Sequence, residues 1–129
     1  MPVDLKSLKQ FLGNDEKFIA LLIDKFIRGT PLEAEKLKSA VMEKNWERVR
    51  EISHKLLSST KIFSQDELTS TLEKIEKLSE NKILLNRIPK LFSQFETSCK
   101  NSLMEIKKFP GLKYIESVHE KKVPNVFSD

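Results

Sequence analysis

Trp46-Glu-Arg-Val-Arg-Glu-Ile-Ser-His-Lys-Leu-Leu-Ser-Ser-Thr-Lys-Ile-Phe63 repeats its apolar residues at steps of three and four, the period of one helix face. At about 100° per residue, Trp46, Val49, Ile52, Ser53, Leu56, Thr60 and Phe63 share a sector, and His54 falls roughly 150° from its centre. The spacing predicts a helix with one buried stripe and an imidazole in water. Neutral imidazole is a nucleophile near pH 7, so an outward-facing ring on a rigid helix can accept a group from a partner. Helical geometry alone does not separate that role from a plain surface histidine.

Outward from this run the chain reads as all-α. It has only three glycines and five prolines in 129 residues, no strand-like alternation, and periodic segments rich in Lys, Glu and Leu. Asp4 is placed to cap a short first helix carrying Leu5, Leu8 and Leu12, with Gly13 ending it. Asn14 is placed to cap a helix over 15–27, whose apolar positions are Phe18, Leu21, Leu22 and Phe26. Thr30 followed by Pro31, with Glu33 completing a capping box, predicts a new helix running to about Glu43. Asn45 opens the helix of His54. Ser64-Gln-Asp-Glu67 reads as another capping box between two helices, the second carrying Leu68, Leu72, Ile75 and Leu78 and fading at 79–81. Residues 82–88 read as a connector. Pro89 suits the first position of a last helix with Phe92, Phe95, Cys99, Leu103 and Ile106 inside, stopped by Pro110-Gly111. Short links between such helices favour an antiparallel four-helix bundle with a small extra N-terminal helix, over residues 1–108. Residues 109–129 form a tail that either packs on the bundle or leads to a boundary.

Composition narrows the function classes. A hydrophobic content of 39% fills one core without disulfides or metal. The lone Cys99 suits a reducing compartment, so the expected location is the cytoplasm. The longest apolar run, residues 18–23, is far short of the ~20 residues of a membrane span. A net charge of +4 from 23 basic and 19 acidic residues is spread along the chain, and the aromatics fall on core stripes, which argues against nucleic acid. Two Glu-x-x-His patterns, Glu51 to His54 and Glu116 to His119, match the local spacing of di-iron bundles, but such ligands point inward and His54 does not. One cysteine and two distant histidines give no zinc set. No glycine-rich loop offers a phosphate cradle, and no elbow or oxyanion pocket supports a Ser-His-Asp hydrolase.

Residues 4 to about 107 resemble the histidine-containing phosphotransfer domain of multistep phosphorelays. The likeness lies in Asp4-Leu-Lys-Ser-Leu8, Asp15-Glu-Lys-Phe-Ile19 with Phe26, Thr30-Pro31, Asn45-Trp46, and above all Ser53-His-Lys-Leu56 with Leu68 and Leu72 downstream. The resemblance implies that His54 takes a phosphoryl group from an aspartyl phosphate on a response-regulator receiver domain and passes it to another receiver. It also implies that Mg²⁺ and the acidic pocket come with the receiver, so that this chain binds no cofactor and has no kinase activity of its own. Such modules also occur at the C-terminal end of hybrid sensor kinases, whose receivers are therefore among the implied partners. A monomer keeps the single site open. The alternative is a helical adaptor that binds receivers without being phosphorylated.

Around His54, the same arithmetic puts Arg50 about 40° to one side and a turn earlier, Ser58 about 40° to the other and a turn later, and Lys61 within roughly 20° two turns later. Ser58 and Lys61 lean toward the ring and Arg50 away from it. Ser58 or Lys61 is then expected on the phosphoryl oxygens and Arg50 on the partner's rim. Leu57 and Ile62, about 60° and 80° from His54, are expected as exposed apolar docking groups, with Lys55 beside them. The chain departs from the family where many relatives have lysine three residues after the histidine and glycine next. Here those positions hold Leu57 and Ser58, and Ser64 stands where a glycine is frequent. Lys61 is the expected substitute for the missing charge.

Overall fold

The computed structural model describes residue 13 and residues 15–63 and 65–106. The expected first helix from Asp4, the Asn14 cap, Ser64, His119 and the tail beyond 108 lie outside the described residues. Among those described, the chain is all-helical: α1 (Glu16–Met42), α2 (Trp46–Ile62), α3 (Asp66–Asn81), a 3-10 turn (Leu85–Arg87) and α4 (Ile88–Ile106). Each helix packs on its neighbour in the chain, and α1 also packs on α4. One core joins them, drawing Ile23 and Leu37 from α1, Val49 and Leu56 from α2, Leu72 and Ile75 from α3, and Phe95 and Ile106 from α4. No described helix is long and apolar enough to cross a membrane.

Several boundaries follow the local chemistry of the sequence. Asn45 Oδ1 accepts from the Arg48 amide at 3.2 Å and opens α2. Phe63 closes that helix, its ring 4.9 Å from the ring of Phe26. Gln65 sits at the cap of α3, though its side chain donates to the Phe63 carbonyl at 2.9 Å instead of capping. The last helix buries Phe92, Phe95, Cys99, Leu103 and Ile106, the expected stripe, and begins one residue before Pro89.

The N-terminal half corrects four expectations. Asp15 is the cap of α1, accepting from the Lys17 and Phe18 amides at 3.1 Å each. Phe18 and Leu21 are exposed, and the buried face is Ile19, Ala20, Ile23, Phe26 and Ile27. That stripe, unlike the one through Phe18, continues past Ile27 to Thr30, Leu37, Ala40 and Val41. The same continuity explains why α1 runs through Pro31 where a break is expected. An interior proline costs about 3 kcal/mol, while each large side chain kept buried returns about 1.5–3 kcal/mol. Glu33 does not close a capping box either, because its Oε1 meets Lys55 at 3.0 Å and Lys36 at 3.4 Å.

Candidate functional site

His54 lies at the middle of α2 with its side chain 72% exposed. The helix turns it outward because Ile52, Ser53 and Leu56 around it are taken into the core. Its ring does not stand alone: Nδ1 is 2.6 Å from Oε2 of Glu76 on α3, a side chain 20% exposed. An ionised carboxylate can only accept, so the Nδ1 proton points at Glu76 and, in the neutral ring, the lone pair resides on Nε2. A fixed ring with a free Nε2 is the arrangement a nitrogen nucleophile needs.

A cleft of about 150 Å³ opens beside the ring between α2 and α3, lined by His54, Leu57, Ser58 and Lys61 from one helix and Glu73, Glu76 and Lys77 from the other. Ser58 and Lys61 therefore stand with His54 as their angles require. Arg50 does not line the cleft. Its guanidinium is drawn a turn back to Glu47, at 2.6 Å, and this hydrogen bond raises the Arg50 pKa while holding the Glu47 carboxyl below its usual range.

Leu57 lines the cleft but is only 5% exposed, which corrects its expected role as an exposed docking group. Packing of α3 and α1 on two sides of α2 widens the buried sector beyond the single stripe. Lys55 and Ile62 belong to a different depression, of about 560 Å³ between α1 and α2, where Leu22, Phe26 and Leu32 add apolar surface. Lys55 is tied there to Glu33. Burial opposes ionisation of Glu33, but Lys55 and Lys36 outweigh it and hold that carboxyl below the ordinary glutamate value.

Glu73, Glu76 and Lys77 have no counterpart in the sequence reading. At steps of three and four they share one face of α3 beside the core residues Leu72 and Ile75. Counting outward from the short link at 63–65 brings this turn opposite His54, and the Thr69 hydroxyl bonded to that of Thr60 at 2.9 Å fixes the register. The sequence does not say which flank of α3 turns toward α2. Among the described residues no group of three or more His, Cys, Asp or Glu is placed to hold a metal ion.

Compared with known proteins, the chain matches no protein-family model, no curated protein and no solved structure. The resemblance thus stands on the motifs quoted above, and the chemistry stands on the geometry around His54.

Proposed function

We propose that this chain is a phosphorelay intermediate whose phosphoacceptor is His54. The observation that carries the reading is the exposed ring held through Nδ1 by Glu76, with no hydrogen bond at Nε2 among the described residues. In the transfer, the Nε2 lone pair attacks phosphorus of an aspartyl phosphate on a receiver domain. The N–P bond forms as the P–O bond to the aspartate breaks, and the carboxylate leaves with the electron pair. Passage to a second receiver reverses these bonds with a new carboxylate as nucleophile. The proton on Nδ1 stays in the hydrogen bond to Glu76, whose charge offsets the positive charge the ring gains when Nε2 is phosphorylated.

Phosphoryl transfer asks for an in-line nucleophile and neutralised oxygens. This chain brings the first on a rigid helix, and the receiver brings the Mg²⁺. The helices form an antiparallel four-helix bundle in this reading. The Thr60 to Thr69 and His54 to Glu76 contacts support it, since the partner moves forward along α3 as one moves back along α2. Arg50 lies at the rim where a receiver's acidic residues approach. The module works as a monomer in the cytoplasm.

Incubation with a phosphorylated receiver tests the reading. Label moves to the wild-type chain and not to His54→Gln. Label on both, or on neither, contradicts it. Binding of the receiver with no label on either protein is the result expected of the adaptor alternative, which draws on Leu57 standing where many relatives have a lysine.

A further inference from the structure

Phosphorylation of His54 places two negative charges over Nε2, and the helix that carries it offers little to meet them. Leu57 is buried, Ser58 is uncharged, Lys55 is held by Glu33 at 3.0 Å and Arg50 by Glu47 at 2.6 Å. Lys61 lies two turns away, about 10 Å along the helix axis. The opposite wall of the cleft contributes Lys77, the residue next to the Glu76 that holds the ring.

Lys77 follows Glu73 by four residues on α3, a spacing that favours an ion pair. The two line the same cleft, yet among the described residues neither Lys77 nor Lys61 has an ion-pair partner. Two unneutralised ammonium groups thus border an open space into which a nucleophilic ring projects. Resting on the reading of His54 as a phosphoryl acceptor, we propose that Lys77 binds the phosphoryl oxygens of phosphohistidine. The missing charge on α2 is in this way supplied from α3. Glu73 and Glu76 are the opposing charges in the cleft; Glu76 is matched by the positive charge the ring gains on phosphorylation, which leaves the two lysines against Glu73 alone.

A cation on those oxygens lengthens the life of the N–P bond. Hydrolysis passes through a loose, metaphosphate-like state in which charge on the oxygens falls, so an ammonium stabilises the intact phosphohistidine more than the transition state. Phosphoramidate tests this without any receiver. Its P–N bond breaks, ammonia leaves, and phosphorus bonds to Nε2. Phosphohistidine lifetime is followed by ³¹P NMR, together with the lysine Cε resonances before and after labelling.

In Lys77→Ala the lifetime falls about three- to fivefold, the scale of one solvent-exposed charge contact. Lys77→Arg restores it and Lys77→Glu shortens it further, a charge dependence that a packing role would not show. Lys74→Ala, an exposed lysine of α3 outside the cleft, leaves it unchanged, and in the wild type the Lys77 Cε resonance moves on labelling. A wild-type phosphohistidine whose lifetime ignores Lys77→Ala and Lys77→Glu overturns the role of Lys77 alone. Failure of wild-type His54 to label at all overturns the phosphoacceptor reading, and Lys77 with it.

Discussion

A carboxylate 2.6 Å from Nδ1 decides which nitrogen of His54 is free to react. Removing it in Glu76→Ala releases the ring, and ¹⁵N shifts of the imidazole move from a single Nδ1–H form to a mixture of tautomers. Transfer from a phosphorylated receiver slows about tenfold, the lower end of what a charge-assisted hydrogen bond contributes. Glu76→Gln keeps an accepting oxygen, so it preserves the tautomer and loses only part of the rate. An unchanged ¹⁵N spectrum in Glu76→Ala would show that Glu76 does not position the ring. The direction of His54 is legible in the sequence because its neighbours at the core positions are strongly apolar. Glu76 is not, since one glutamate among several on a charged helix becomes special only through the side of α3 that meets α2.

At the scale of elements, local chemistry predicts an end well where nothing competes with it. Asn45 before Trp46 opens α2 as its side chain dictates, and the stripe from Phe92 to Ile106 defines α4. Thr30-Pro31 is the contrary case. Its cap and first-turn chemistry are intact in sequence, but the stripe from Ile19 to Val41 runs through it, and burial along 27 residues keeps α1 whole. Pro31 thus sits inside a helix, where its ring forgoes the bond to the Ile27 carbonyl. Pro31→Ala should raise stability by about 1–3 kcal/mol, read as a higher midpoint in urea. If a helix began at Pro31, the same substitution would be neutral or destabilising, because proline suits a first turn.

At the scale of the molecule, the four helices of the described residues share one core and leave two different surfaces on α2. The side toward α3 carries the small polar cleft of His54, and the side toward α1 carries the larger apolar depression. Amphipathic periodicity forecast the buried stripe of α4 and most of those of α2 and α3, but not the face of α1 or the burial of Leu57; the division of the surface came only from which helices are neighbours. Cys99 reports on the core's integrity. Burial, with Glu96 nearby, pushes its thiol up to about 12, so iodoacetamide at pH 8 should leave it unmodified in the native state and label it only as the chain opens. Fast native labelling would contradict the packing around α4. The central claim is that Nε2 of His54 carries the phosphoryl group. It is tested most directly by ³¹P–¹⁵N coupling in protein labelled with ¹⁵N-histidine and exposed to a phosphorylated receiver. The account predicts one coupled phosphorus, on Nε2 of His54; phosphorus on Nδ1, on His119, or on neither histidine would contradict it.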